Sequence, residues 1–145
     1  MSAHASPTTQ SQVHIVLGAG QVGPLLAAKL AAAGHDVRMV SRSRPNEVPG
    51  VRWVRADLAD VAQARAAIRG AHTVYHCANP MRYDQWALLL PPMTNAICEA
   101  AAGSGAHLVV LDNLYMYGAP PQRNRERHHS AGAAEPEGRA ACAAR

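Results

Sequence analysis

The feature that most constrains this chain is a glycine motif placed directly between two runs of different periodicity. Residues 13–17 (VHIVL) form a short apolar run that predicts a buried β-strand, and residues 18–23 (GAGQVG) follow it at once. Residues 21–33 then carry leucine and alanine at helical spacing. A G-x-G-x-x-G sequence has little meaning alone, but between a strand and a helix it is typical of a turn that binds a dinucleotide.

Each position of this turn has an expected role. Gly18 allows the tight turn, Gly20 lets a pyrophosphate approach the backbone, and Gly23 lets the helix pack closely. Gln21 and Val22 then stand at the helix start, where free N–H groups and the positive end of the helix dipole face the phosphates. The alternative is a tight strand-to-helix turn that holds no ligand.

The region from 13 to 118 continues this alternation and predicts an α/β fold. Right-handed crossovers favour a Rossmann-like, doubly wound parallel sheet of about five strands in the order 3-2-1-4-5. No helix of any length is expected between the second and third strands. The predicted strands are residues 13–17, 37–41, 51–55, 73–77 and 107–111, and the predicted helices are 21–33, 60–70 and 85–102.

Local features set the expected helix faces and ends. Leu25, Leu26 and Leu30 are expected on one face of the first helix. Asp60 is expected to cap the second helix, with a glutamine three residues later as in a capping box. Prolines at 91–92 are expected to kink the third helix or to delay its start, because neither can donate an N–H.

The second strand ends in a hydroxyl and guanidinium sequence, residues 41–44 (SRSR). An NAD site usually has an acidic residue here to accept a hydrogen bond from the ribose 2′-OH. Ser41 and Arg42 instead suit a 2′-phosphate, which a guanidinium binds in bidentate fashion. The sequence therefore favours NADP over NAD, although the arginines could equally be ordinary solvated charges.

Three further strand ends carry polar residues. Asp57 could accept a hydrogen bond from an adenine amino group, or alternatively Asp57 or Asp60 simply caps the next helix. Residues 78–80 (ANP) follow the fourth strand, and residues 112–118 (DNLYMYG) follow the fifth, toward the nicotinamide position. The tyrosines of that last segment could also lie partly buried against the sheet edge.

These residues resemble a known family, the extended or atypical short-chain dehydrogenases/reductases of the NAD-dependent epimerase/dehydratase kind. The resemblance covers about residues 13–118, as the N-terminal part of such an enzyme. Its last motif is similar to the Ser-Ser-x-x-Val-Tyr-Gly segment of the family, whereas the glycine loop is one residue shorter than the common G-x-x-G-x-x-G. The four motifs are residues 18–23 (GAGQVG), 56–60 (ADLAD), 74–78 (VYHCA) and 112–118.

The resemblance implies a cofactor site and a catalytic set. The family's catalytic Ser or Thr is replaced here by Asn113, and no Tyr-x-x-x-Lys can follow, since no tyrosine comes after Tyr117 and no lysine after Lys29. Asn113 and Tyr117 remain candidates near the nicotinamide, but an amide cannot relay a proton as a hydroxyl does. The implied cofactor residues are Gly18, Gly20, Gln21, Val22, Gly23, Ser41, Arg42, Asp57, Leu58 and Ala78.

The chain ends differ in composition from this region. Residues 1–12 are expected to be a flexible leader without the features of a signal peptide. Residues 119–145 contain no large apolar residue and are expected to be a disordered tail. The tail is interpreted as the product of a frameshift or truncation that replaced the natural C-terminal half, or as a natural disordered tail.

Charge and cysteine content limit the partners. The net charge of +4 is divided evenly, with nine basic against seven acidic residues in 1–118 and five against three in 119–145. Neither part has a basic stripe interleaved with aromatics, so no nucleic-acid binding is expected. No apolar run is long enough to span a membrane, and the histidines lack the spacing of a metal site. Three cysteines without CxxC spacing are expected to be reduced thiols of a cytoplasmic protein.

Three functions fit this sequence. The first is the NADP(H)-binding part of an oxidoreductase or epimerase, with little or no turnover. The second is a non-catalytic module that senses a dinucleotide or binds a partner, and the third is a decayed gene product. A homodimer through helix 85–102 is a further expectation taken from the resemblance.

Overall fold

A computed structural model describes residues 12–112 of the 145-residue chain. Five parallel strands form one sheet in the order β3-β2-β1-β4-β5, with helices on both faces. The α/β class and the strand order are therefore confirmed. The leader, the tail, Asn113 and Tyr117 lie outside the described residues. The elements are β1 (Val13–Leu17), α1 (Gly23–Ala32), β2 (Asp36–Ser41), β3 (Val51–Arg55), α2 (Val61–Ile68), β4 (Thr73–His76), α3 (Trp86–Ser104) and β5 (His107–Val110).

The central strand β1 is buried on both faces, which explains its continuous apolar sequence. On one face Val16 packs with Ala27 of α1 and Met39 of β2. On the other face Ile15 and Leu17 belong to a larger core formed with α2 and α3. The strand that leads into the glycine turn is therefore supported from both sides by close-packed layers.

Helix α1 differs from its prediction in its start and its buried face. It begins at Gly23, two residues later than expected. Leu26 and Leu30 pack against the core, whereas Leu25 is 67% exposed, so the prediction that the three leucines share one face is wrong at Leu25. Gly23 and Ala27 are the buried residues of this helix, because the backbone of α1 lies close to the β1–α1 turn. Leu25 is two positions from each of them and so points to the opposite side of the helix.

Helix α3 runs without a break from Trp86 to Ser104 and contains both prolines, so the predicted delay of its start is wrong. A proline removes one helical hydrogen bond, which is costly where the freed carbonyl is buried. Residues 91–92 are exposed, which leaves that part of the helix open to water. The helix is fixed before them by the Trp86 indole N–H, which donates to the Pro80 carbonyl at 3.0 Å. After them, buried residues such as Ile97 anchor it in the core.

Helix α2 begins as predicted. The Asp60 carboxylate accepts hydrogen bonds from the N–H groups of Ala62 at 2.8 Å and Gln63 at 3.1 Å, which confirms its role as the cap. The Gln63 side chain donates to Asp60 at 3.0 Å and accepts from the N–H of Asp57 at 3.0 Å. The glutamine thus ties the cap to the end of β3, which is a longer reach than in a simple capping box.

Two searches of residues 12–112 bear on partners. No helix in this range is long and apolar enough to cross a membrane. No group of three or more histidine, cysteine or acidic side chains in this range is arranged to hold a metal ion. Cys77 is a free thiol, whereas Cys98 is disulfide-bonded, so the expectation of reduced cysteines is wrong at Cys98. The cytoplasmic location stays a prediction.

Candidate functional site

The carboxyl ends of all five strands meet at one edge of the sheet, because every strand pair is parallel. The chain leaves β1 toward α1 on one face, and it leaves β4 toward α3 on the other. A crevice therefore opens between the ends of β1 and β4, which is where ligands bind in sheets of this kind. The predicted residues that the structure describes all lie in the segments that follow β1, β2, β3 and β4.

Gly18 lies at the base of this crevice. Its φ of +101° is in a region that L side chains rarely adopt, and its N–H donates to the Val40 carbonyl at 2.8 Å. A Cβ at this position would lie 2.7 Å from the Ala78 Cα. The turn after β1 therefore touches the backbone after β4 so closely that only glycine fits.

Gly23 and Gly20 face opposite conditions. A Cβ at Gly23 would overlap the carbonyl oxygen of Gly18 and would also approach Val16 at 3.5 Å. A Cβ at Gly20 would meet nothing within 4 Å. The first and third glycines are thus required by the fold, whereas the second has no structural reason to lack a side chain.

The start of α1 is left without side-chain caps. Its N-cap residue is Val22, which makes no side-chain hydrogen bond to the helix, and its first turn contains Pro24 and no acidic residue. Gln21 and Val22 are exposed. The N–H groups of the first turn therefore present their partial positive charge to the crevice, an arrangement suited to an anion.

The end of β2 is organised by a residue of β3. The Ser41 hydroxyl donates to the Ser43 carbonyl at 2.6 Å and accepts from the Trp53 indole N–H at 3.0 Å. The Arg44 guanidinium lies 5.8 Å from the centroid of the Trp53 ring. Arg42 is exposed, and its side chain makes no hydrogen bond or ion pair within the described part of the chain. Both arginines are exposed, and Arg44 is the one of the two that has a contact with the Trp53 ring.

Asp57 and Leu58 have separate surroundings. Asp57 is exposed, and one carboxylate oxygen accepts from the N–H of Ala59 at 3.0 Å. Asp60 is the helix cap, which confirms the alternative that one of these two aspartates caps α2, and Asp57 has no part in that cap. The Leu58 side chain is 6% exposed and belongs to the core beneath α2. Any contact of Leu58 with a cofactor would therefore come from its backbone.

The end of β4 contributes backbone on one side and buried polar groups on the other. Ala78 is half-buried against the core and faces Gly18. His76 is 4% exposed, and its Nε2 lies 3.4 Å from the Thr94 hydroxyl of α3. Burial lowers the pKa of His76, and the nearby Asp112 carboxylate opposes this in part. Burial also raises the pKa of the Cys77 thiol, which keeps it protonated near neutral pH.

Sequence reasoning missed two groups near this edge. Trp53 contacts both Ser41 and Arg44. The only indication in the sequence was that Trp53 lies two residues before Arg55, the last residue of β3, so that the two share one face of the sheet. His76 of β4 and Thr94 of α3 are 18 positions apart in the chain, and no sequence pattern indicates that their side chains meet.

A separate cluster of imidazoles lies at the opposite, amino-terminal edge of the sheet. His14 is in contact with His35, at 4.2 Å between ring centroids, and its Nδ1 lies 3.1 Å from the Tyr75 hydroxyl. Burial, followed by the charges of His35 and His72, lowers the pKa of His14. This cluster is remote from the glycine turn and has no part in the candidate site.

Comparison with known proteins identifies the class that this edge defines. Residues 18–141 match the NAD(P)H-binding family model, and the chain belongs to that family. It is an NAD(P)-binding domain, and proteins named as an epimerase and as a short-chain dehydrogenase/reductase share its fold. The match continues beyond Gly118, where the sequence predicts the domain to end, and that boundary stays a prediction.

Two curated relatives illustrate the likeness. The chain is 30% identical over 134 residues to dTDP-6-deoxy-L-talose 4-dehydrogenase (NAD(P)(+)) of Kitasatospora kifunensis, which covers 85% of this chain and 42% of the relative. It is 31% identical over 121 residues to cinnamoyl-CoA reductase 1 of Oryza sativa subsp. japonica, which covers 73% of this chain and 35% of the relative. The chain thus spans less than half the length of the curated relatives that it matches.

Solved structures share the fold. The Bordetella bronchiseptica enzyme WbmH in complex with NAD+ superposes with a TM-score of 0.75 at 21% identity, over 90% of this chain and 50% of that one. A short-chain dehydrogenase/reductase superfamily protein from Agrobacterium tumefaciens with bound NAD superposes with a TM-score of 0.75 at 22% identity. The superposition covers 89% of this chain and 42% of that one. Both structures were solved with a pyridine nucleotide bound.

Proposed function

We propose that this chain binds NADP(H) across the crevice between β1 and β4, with the pyrophosphate against the turn from Gly18 to Gly23. The observation that carries the proposal is the contrast among the three glycines. Two of them are required by backbone contacts, whereas Gly20 lacks a side chain beside open space. A phosphate that approaches Gly20 would explain why this position lacks a side chain, which the contacts of the fold do not explain. The uncapped first turn of α1 supplies N–H donors for the same group.

The adenosine end of the cofactor would lie over the ends of β2 and β3. Residues 41–44 at the end of β2 include no carboxylate to accept a hydrogen bond from a ribose 2′-OH, and the exposed Arg42 can instead bind a 2′-phosphate. The free oxygen of Asp57 would accept from the adenine amino group. Ser41 would contact the ribose through its remaining lone pair, and Ala78 would border the cofactor beyond the pyrophosphate.

The proposed role of residues 1–145 is nucleotide binding. The resemblance calls for Tyr-x-x-x-Lys after the fifth strand, and these residues include no lysine after Lys29. A bound hydride donor without a positioned acid gives little carbonyl reduction. This favours either the cofactor-binding part of an oxidoreductase or epimerase or a module that senses the dinucleotide.

The segment beyond Gly118 is proposed to differ from the family's natural continuation. Its lack of large apolar residues supports replacement by a frameshift or truncation. The family match through residue 141 supports a natural continuation instead. Translating the other two reading frames beyond codon 118 decides between them, because a frameshift requires that one frame restore a periodic apolar pattern.

Ligand-dependent melting of the full chain tests the cofactor proposal. A ligand that binds only the folded state raises the melting temperature, so NADPH at saturation is expected to raise it more than NADH. Gly20→Ala should remove most of this rise while leaving the nucleotide-free melting temperature unchanged. Gly103→Ala is the matched control, since its added methyl group also meets nothing within 4 Å and lies in α3. Equal ligand responses of the two variants would contradict the proposed phosphate position.

A charge-matched pair tests the preference for NADP. Arg42→Ala should weaken NADPH binding about tenfold or more and leave NADH binding within about twofold. Arg69→Ala removes the same charge from the opposite edge of the sheet and should change neither. If NADH raises the melting temperature of the wild-type chain and NADPH does not, the assignment of Arg42 is overturned. Absence of any cooperative melt would favour the decayed gene product.

Assays of turnover separate the enzyme from the sensor. A melting shift with NADPH, but no NADPH oxidation with aldehyde or ketone substrates, would favour a sensing or interaction module. Turnover by the purified chain would contradict the proposed lack of a positioned acid. The substrates named for the relatives are the first carbonyl compounds to try.

A homodimer through α3 is also proposed. Leu88 is 75% and Leu89 40% exposed on the first half of this helix, and the preceding segment adds Tyr83 at 54%. Sedimentation should give a dimer that Leu88→Glu dissociates. Leu25→Glu is the matched control, because Leu25 is 67% exposed on α1, away from this surface. A monomeric wild-type chain would overturn the proposal.

A further inference from the structure

We propose that Trp53 is a positioning residue for cofactor selection, which holds the end of β2 so that Arg42 alone meets the 2′-phosphate. The inference rests on the proposed NADP site. Trp53 itself lies on β3, one strand away from the residues that would touch the cofactor, and it acts on them through Ser41 and Arg44.

The first link is the hydrogen-bond chain from Trp53 to the turn after β2. The indole N–H donates to the Ser41 oxygen at 3.0 Å, and the Ser41 hydroxyl donates in turn to the Ser43 carbonyl at 2.6 Å. A hydroxyl has one proton and two acceptor sites. Since its proton is directed to Ser43, Ser41 has none to offer a phosphate, and its remaining lone pair suits a ribose hydroxyl.

The second link is the face of the Trp53 ring. The Arg44 guanidinium lies 5.8 Å from the ring centroid, within range of a cation–π contact. This contact gives Arg44 a partner on β3, while its side chain is exposed like that of Arg42. The turn closed by Ser41 and Ser43 carries Arg42 at its tip, where the guanidinium is exposed.

The far end of the same loop is also fixed, so the turn is held at both ends. Val48 packs on the core beneath α1, and its carbonyl accepts from the N–H of Val51 at 3.1 Å. A Cβ at Gly50 would lie 3.3 Å from the Ala31 side chain. Between these anchors and Ser41 the loop carries no helix, so the Trp53 contacts determine how Arg42 is presented.

Calorimetric titration of the full chain with adenosine 2′,5′-bisphosphate and with adenosine 5′-monophosphate tests this inference. The two probes differ only in the phosphate on the 2′ position. Trp53→Phe keeps a ring face for Arg44 but removes the N–H, and it should weaken bisphosphate binding about fivefold while leaving monophosphate binding within about twofold. Trp86→Phe is the matched control, because it too removes an indole hydrogen bond. In Trp86 that bond goes to the Pro80 carbonyl. That control should leave the preference unchanged.

Two further variants follow from the same chain of contacts. Ser41→Ala should reproduce the loss of preference for the 2′-phosphate seen in Trp53→Phe, with an added weakening of both probes from the lost ribose contact. The double variant should lose no more of the preference than the larger single loss. This pair keeps the test valid if Trp53→Phe fails to fold. Arg44→Gln should leave bisphosphate binding within about twofold, since its guanidinium is held on the ring.

The outcomes separate the two proposals. A wild-type chain with no preference for the 2′-phosphate would overturn the proposed NADP site, and this inference with it. A wild-type preference that survives in both Trp53→Phe and Ser41→Ala would overturn the inference alone. An equal loss for both probes would show that Trp53 only supports the fold, which also overturns it.

Discussion

Replacing Gly18 with alanine tests the geometry at the base of the crevice. The backbone there has a φ of +101°, and such a conformation costs an alanine about 1–2 kcal/mol. The new Cβ would also lie 2.7 Å from the Cα and 2.8 Å from the amide nitrogen of Ala78. Neither atom can move without shifting β4, so overpacking should add about 1–3 kcal/mol. Together these costs predict a loss of about 2–5 kcal/mol in the free energy of unfolding.

Urea unfolding followed by circular dichroism at 222 nm measures this loss, with the slope against denaturant expected to stay constant. Gly34→Ala is the matched control, because Gly34 has a φ of +87° but open space where a Cβ would point. It should lose only the conformational cost, about 1–2 kcal/mol. The melting temperature of Gly18→Ala should be at least about 8 °C below that of the wild type. If the two variants unfold at the same urea concentration, the close approach of the two loops is wrong.

Three further predictions concern the rest of the described domain. Asp60→Ala should lower the melting temperature, whereas Asp60→Asn should retain most of it. The hydrogen bonds that cap α2 lower the pKa of Asp60, so the stability they give is lost as pH falls through that lowered value and less so in the asparagine variant. Burial lowers the pKa of His76, so the unfolded chain binds more protons, and the free energy of unfolding should fall as pH drops below about 6.5. His76→Gln should flatten that pH dependence, and an unchanged slope would refute the assignment. Arg65→Ala should cost less than about 0.5 kcal/mol, because its ion pair with Glu99 is exposed at both ends.

Alternation of apolar runs with longer amphipathic runs was sufficient to predict the sheet and its strand order. Those periodicities follow from backbone geometry alone, and crossover handedness leaves few topologies to choose among. The same periodicity misplaced Leu25, because the stripe that packs in α1 is set by the close approach at Gly23. The prolines of α3 misled the prediction for a related reason. Their cost depends on whether the freed carbonyls are buried, and these belong to residues 87–88, which are exposed.

The sequence by itself determined the class of this protein and the position of its nucleotide turn, since glycines between a strand and a helix leave few other geometries. It also placed Ser41, Arg42 and Asp57 at strand ends, because strand ends follow from period and composition. Only the tertiary structure decided what each of these side chains is free to do. Trp53 lies on a neighbouring strand, and its contacts with Ser41 and Arg44 arise from parallel pairing across 12 or fewer residues of sequence. Such contacts depend on register and on which face each residue occupies, and a linear sequence carries neither until the strands are paired.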